Sequence, residues 1–130
     1  LGTRPYEDVA DLIRDIGVPD NMAPAFWSVV RENITTLHDL PGWWGVFTGA
    51  ERGIADDADE AFVGDALSML GEPPYTAETW GDWTGKVKEA TGRKGRALFM
   101  PLRRAVTGRD RGPEMADVMP LMQVKPALRD

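Results

Sequence analysis

Seven basic side chains fall between positions 93 and 111: Arg93, Lys94, Arg96, Arg103, Arg104, Arg109 and Arg111, with Asp110 the single acid among them. Six of the seven are arginine. A guanidinium is planar and donates paired hydrogen bonds to a phosphate or to a base edge, so this composition points to binding a polyanion. Thr91-Gly92-Arg93-Lys94-Gly95-Arg96 lacks the spacing of a phosphate-cradling P-loop. Catalytic chemistry has little to stand on. The chain has no cysteine and one histidine, His38, which excludes a thiolate nucleophile, a disulfide scaffold and a two-histidine metal site. The acidic run Asp56-Asp57-Ala58-Asp59-Glu60 lacks the spacing of a calcium loop and reads as a helix start.

The bases are segregated along the chain. Residues 1–85 hold 4 basic and 16 acidic side chains, a balance of −12; residues 86–130 hold 11 and 5, a balance of +6. A net charge of −6 argues against a nucleic-acid surface spread over the whole molecule, whereas a basic segment on an acidic body argues for one polarised face. The competing account is that these bases pair with acidic neighbours inside the fold, and charge alone leaves both open. The acidic part is expected to face away from any bound polyanion or toward the rest of a larger protein.

The elements that must position these groups read as helices. Val9, Leu12, Ile13 and Ile16 recur at helical spacing between Pro5 and Gly17. A second helix is expected over Pro24–Asp39, carrying Phe26, Val30, Ile34 and Leu37, with His38 in its last turn and Leu40-Pro41-Gly42 as the break. Trp43, Trp44, Val46 and Phe47 follow as a short apolar helix or turn. Asp57 should cap a third helix, with Glu60 as capping-box partner and an apolar face of Phe62, Val63, Ala66, Leu67 and Leu70. Thr76 should cap a fourth, carrying Trp80, Trp83, Val87 and Ala90 and closed by Gly92. A fifth runs over Lys94–Thr107, closed by Gly108 and kinked or split at Pro101. Gly112-Pro113 opens a last helix, so that an arginine-bearing turn meets a free helix N-terminus. No period-2 strand is visible. The fold class is all-α, a compact multi-helix domain, and the glycines of Thr48–Gly53 divide it into two small helical lobes, 1–50 and 51–130.

Five tryptophans accompany the basic segment. Aromatics beside bases can stack on unpaired nucleobases, but Trp80 and Trp83 at i, i+3 fit a buried helix face better. No run of 18 apolar residues spans a membrane, and no basic-then-apolar leader opens the sequence. A first residue of Leu reads as a processed chain or a piece of a longer one.

The stretch Gly95-Arg96-Ala97-Leu98-Phe99-Met100-Pro101-Leu102-Arg103-Arg104-Ala105-Val106-Thr107-Gly108, followed by Gly112-Pro113-Glu114, resembles the C-terminal anticodon-binding region of bacterial glutamyl-tRNA synthetases, most closely the alphaproteobacterial forms. Trp80-Gly81-Asp82-Trp83, Met119-Pro120-Leu121-Met122 and Phe26-Trp27 with Trp43-Trp44 fit the same pattern. The sequence departs from it at Arg109-Asp110-Arg111, where family members often carry a Glu-His pair. The family's ATP-binding signatures, His-x-Gly-His and Lys-Met-Ser-Lys, are not in this sequence.

The resemblance implies an all-helical anticodon-binding domain that grips the anticodon loop of tRNA(Glu), with tRNA(Gln) as a further candidate. The catalytic domain of the same cytoplasmic enzyme would be its neighbour, with no membrane contact and a monomeric state. By that resemblance Arg103 contacts the anticodon, Thr107 and Gly108 shape the loop behind it, and Gly112, Pro113 and Met115 meet the splayed bases. Charge adds Arg93, Lys94, Arg96, Arg104, Arg109 and Arg111 as phosphate contacts. Arg103 would otherwise serve as an ion pair to an acidic helix. The domain itself is expected to be non-catalytic and to need no cofactor, ATP and magnesium belonging to the catalytic domain of the resembled enzyme. The alternative is a helical protein-interaction module whose basic corner docks an acidic partner.

Overall fold

A computed structural model of the chain describes residues 4–129. Among the described residues seven α-helices follow in order: α1 (Ala10–Asp15), α2 (Ala23–Val30), α3 (Leu40–Thr48), α4 (Glu60–Ser68), α5 (Thr79–Thr91), α6 (Arg96–Thr107) and α7 (Met115–Val118), with short 3₁₀ turns before α1, α3 and α4 and after α2 and α7. Among the described residues the only β pairing is an isolated bridge between Gly53 and Leu128. The all-α reading therefore holds.

Local chemistry accounts for three of the helix ends. Gly49, Gly92 and Gly108 follow α3, α5 and α6 with φ of 86°, 76° and 70°, the left-handed region where glycine carries no Cβ penalty. The second expected helix is shorter than its periodicity suggested. It passes into a 3₁₀ turn at Arg31–Asn33 and stops at Ile34, whose backbone is extended. Asp39 causes the restart: its carboxylate accepts the backbone N–H groups of Thr35 and Thr36 at 2.8 and 3.2 Å. Thr36 in turn accepts from the His38 N–H at 3.2 Å. This capping box makes Leu40-Pro41-Gly42 the first turn of α3 rather than a break, with Pro41 at a position that needs no N–H. His38 thus stands at a helix entry, not in a helix's last turn.

The cap expected from Asp57 is also absent. A 3₁₀ turn at Asp57–Asp59 precedes α4, and neither start is closed by a side-chain hydrogen bond. Thr76 lies two residues before Glu78, the N-cap of α5, and its hydroxyl accepts from Glu78 N–H at 3.2 Å in the turn that leads to the helix. The final helix is a single turn of four residues, too short for a helix dipole of consequence.

One buried cluster draws on both parts of the chain, from Val9, Ile13, Phe26, Trp27 and Phe47 to Trp83, Leu98, Leu102, Val118 and Met119. Phe26 lies edge-on to Trp44 and Phe47 at 5.7 and 5.9 Å. Trp83 is buried and donates its indole N–H to the Ala66 carbonyl at 2.7 Å, tying α5 to α4. The 51–54 loop packs against α6. Ile54 N–H donates to the Arg104 carbonyl at 3.0 Å, and a Cβ on Gly53 would overlap the carbonyl of Ala105.

Candidate nucleic-acid interface

Helix α6 positions the basic segment. Leu98, Leu102, Ala105 and Val106 bury one side of it. Arg96, Phe99 and Arg103, at i, i+3 and i+7, lie along another stripe. Pro101 sits inside the helix without splitting it. Proline cannot donate to the carbonyl four residues earlier, that of Ala97. The guanidinium of Arg93 does so instead, at 3.1 Å. The expected split is absent, and a side chain from outside the helix takes the missing donor's place.

Arg93 is committed to the fold in two further ways. It pairs with Asp59 at 2.9 Å, both side chains about three-quarters buried, and its guanidinium lies 3.8 Å from the centroid of the Phe62 ring. Arg104 is held similarly: it grips Asp110 through two hydrogen bonds of 2.6 and 3.1 Å and reaches Asp56 at 3.0 Å. The hydrogen bond from Arg104 holds the Asp110 carboxyl below the usual carboxylate range, and Asp110 raises Arg104 in return. Arg109 lies 4.7 Å from the Trp43 ring centroid, pairs with Glu51 at 3.1 Å and donates to the Thr107 carbonyl at 2.8 Å. Three of the six bases read as phosphate contacts are thus engaged internally. The acidic part does not simply face away, because Glu51, Asp56 and Asp59 meet these arginines. Lys94, Arg96 and Arg111 are exposed, and no carboxylate lies within 4 Å of them among the described residues.

A groove of about 380 Å³ opens between α5, α6 and α7, lined by Trp80, Arg96, Phe99, Met100, Arg103, Glu114, Met115 and Ala116. Its apolar wall is one aromatic pair and two methionines. Its cations are Arg96 and Arg103, and its one acid is Glu114, which belongs to the basic part of the sequence. Arg103 is partly buried and donates to the Pro113 carbonyl at 3.1 Å, which orients the guanidinium without neutralising it. Among the described residues it has no ion-pair partner, so the acidic-helix account of Arg103 finds no support. A second recess lies across Pro113, where Glu32, Glu114 and Asp117 make a polar acidic lining.

The other residues implied by resemblance divide by burial. Met115 lines the groove although its side chain is almost enclosed. Pro113 is buried and presents its carbonyl to Arg103. Gly112 runs so close to Trp43 that a Cβ there would stand 2.8 Å from the indole. Thr107 is 2% exposed and cannot meet a ligand directly. Its hydroxyl donates to the Arg103 carbonyl at 2.9 Å and accepts from Arg109 N–H at 3.1 Å, so it shapes the 108–112 turn together with Gly108. Phe99 and Met100 were missed as lining residues, and Trp80, read as part of a buried helix face, packs against the core and lines the groove as well. Helical spacing could have placed Phe99 between Arg96 and Arg103, but nothing local shows that Trp80 also reaches the groove.

Among the described residues no group of three or more His, Asp or Glu side chains could hold a metal ion, and no helix is long and apolar enough to cross a membrane. Residues 6–128 match the family model described as the anticodon binding domain. The chain is 56% identical over 128 residues to glutamate–tRNA ligase 2 of Dinoroseobacter shibae, covering 98% of this chain and 29% of that protein. It is 60% identical over 125 residues to glutamate–tRNA ligase 1 of Ruegeria pomeroyi, with 95% and 28% covered. Glutamate–tRNA ligase 1 of Cereibacter sphaeroides is 59% identical over 120 residues, with 92% and 27% covered. The chain spans less than a third of the length of these relatives.

Proposed function

The chain belongs to the anticodon-binding domain family, and on that premise we propose that it takes the anticodon loop of a tRNA in the groove between α5, α6 and α7. The observation that carries this reading is Arg103. It is a guanidinium beside the aromatic and methionine wall of the groove that no carboxylate pairs with and that a backbone carbonyl holds in place. Unpaired bases are read in this way, by guanidinium and apolar faces with hydrogen bonds to their edges. The Glu114 carboxylate at the same groove can accept from an exocyclic amine, complementing the donors of Arg103. Lys94, Arg96 and Arg111, exposed on the same segment, serve the backbone phosphates.

The activity for which these relatives are named supports tRNA(Glu) as the partner. The domain then contributes selection. Binding energy gained at the anticodon places the acceptor end at a distant active site. Glutamate activation, with its ATP and magnesium, belongs to the catalytic domain of the parent ligase. The cytoplasm is the compartment that fits, and a monomer the state.

The test is binding of the protein to a tRNA(Glu) transcript and to one with a substituted anticodon, at two salt concentrations. Arg103→Ala is expected to remove about 1–3 kcal/mol of preference for the native anticodon. Arg96→Ala is expected to weaken both RNAs equally and lower the salt slope by about 0.7–0.9. Equal binding of both RNAs by the parent protein would refute base reading and leave only a phosphate-holding surface.

A further inference from the structure

Phe99 is 45% exposed, the most exposed large hydrophobic side chain among the described residues. It is not an isolated surface residue. Its ring lies 6.5 Å from that of Trp80, with the two planes inclined by 35°, and Trp80 packs edge-on to the buried Trp83 at 5.6 Å. The aromatic surface is therefore anchored to the core through α5. Arg96 and Arg103 flank Phe99 along α6, about 10 Å apart along the helix axis. Arg96 has no carboxylate partner among the described residues.

An aromatic face that is rigidly backed, wet on one side and set between two unneutralised guanidiniums suits one ligand chemistry: an unpaired nucleobase with its phosphate on a neighbouring cation. Resting on the anticodon-loop reading above, we propose that Phe99, backed by Trp80, is a stacking platform for one unpaired base of the loop, with that nucleotide's phosphate on Arg96. Stacking is indifferent to base identity because every base has a π-face. Phe99 therefore contributes affinity, and Arg103 contributes choice. This division separates two roles on one helix stripe.

The experiment is titration of the protein at low salt with the tRNA(Glu) transcript and its anticodon-substituted counterpart, using Phe99→Ala, Phe99→Leu, Phe99→Trp and Arg103→Ala. Urea unfolding of each variant checks that it is folded. Phe99→Ala is expected to weaken both RNAs by the same factor, about 5- to 100-fold, leaving their ratio unchanged. Phe99→Trp should restore binding and Phe99→Leu should not, since leucine keeps the apolar bulk and loses the ring. Binding by Phe99→Ala within about two-fold of the parent would overturn the platform. It would leave the loop reading intact if Arg103→Ala still loses preference. Full binding by Phe99→Leu would overturn stacking in favour of plain apolar contact, and a changed ratio in Phe99→Ala would overturn the division of roles. Failure of the parent protein to bind either RNA at low salt would overturn the loop reading and the platform together.

Discussion

Replacing Arg93 by methionine keeps an apolar stem of similar length and removes every donor the guanidinium supplies. Three interactions go with it. The ion pair with Asp59 is about three-quarters buried on both sides, so about 1 kcal/mol is reasonable, the upper end for such pairs. The guanidinium over Phe62 adds about 1 kcal/mol. The hydrogen bond to the Ala97 carbonyl is solvent-accessible, so water takes over part of it and its loss costs about 0.5–1 kcal/mol. These contributions share one side chain and are not independent, so the expected loss is about 2 kcal/mol. The assay is urea unfolding followed by tryptophan fluorescence, with an unchanged m-value as the sign that only stability moved. Lys94→Met, next in sequence and exposed, should stay within about 0.5 kcal/mol of the parent. A second arm uses Pro101→Ala, which returns an N–H to the Ala97 carbonyl. In that background Arg93→Met should cost less, by about 0.5–1 kcal/mol. The reasoning is refuted if Arg93→Met unfolds like the parent yet lowers the salt slope of RNA binding by about 0.7–0.9, the behaviour of a phosphate contact.

Two further predictions follow from close contacts on α6. Gly53→Ala should destabilise by at least about 2 kcal/mol, because the added methyl overlaps the Ala105 backbone, which cannot rotate away. Gly85→Ala, in α5 with open space around it, should gain about 0.5–1 kcal/mol on the same urea curves; equal effects at the two glycines would contradict the packing of the 51–54 loop on α6. Asp110, held below the ordinary carboxylate range by Arg104, adds stability that is full above the unfolded value of about 3.9 and fades as pH falls through its lower folded value. Urea midpoints measured from about pH 6 to about pH 2 should therefore fall less steeply for Asp110→Asn than for the parent, and parallel profiles would contradict the pair.

The sequence alone determined the fold class and where α5 and α6 end at their glycines, because those depend on periodicity and on backbone freedom within a few residues; both helices begin two residues later than expected, after Glu78 and Gly95. It placed Arg103 and the Gly112-Pro113 turn in one neighbourhood for the same reason, since ten residues separate Arg103 from its partner carbonyl. It overran at Ile34 because apolar spacing continued while Asp39 drew the backbone into a new start. What the tertiary structure decided is which arginines are spent. Arg93, Arg104 and Arg109 meet Asp59, Asp56 and Glu51, carboxylates 34, 48 and 58 residues away in the chain. Nothing in the spacing of a basic segment distinguishes a guanidinium that will find such a partner from one that will not. Pro101 makes the same point from the other side. Its local penalty was legible, but its relief came from Arg93, outside the helix. Ion pairing and desolvation depend on which surfaces meet once the core has closed, and only then are Arg103 and Phe99 left facing an open groove.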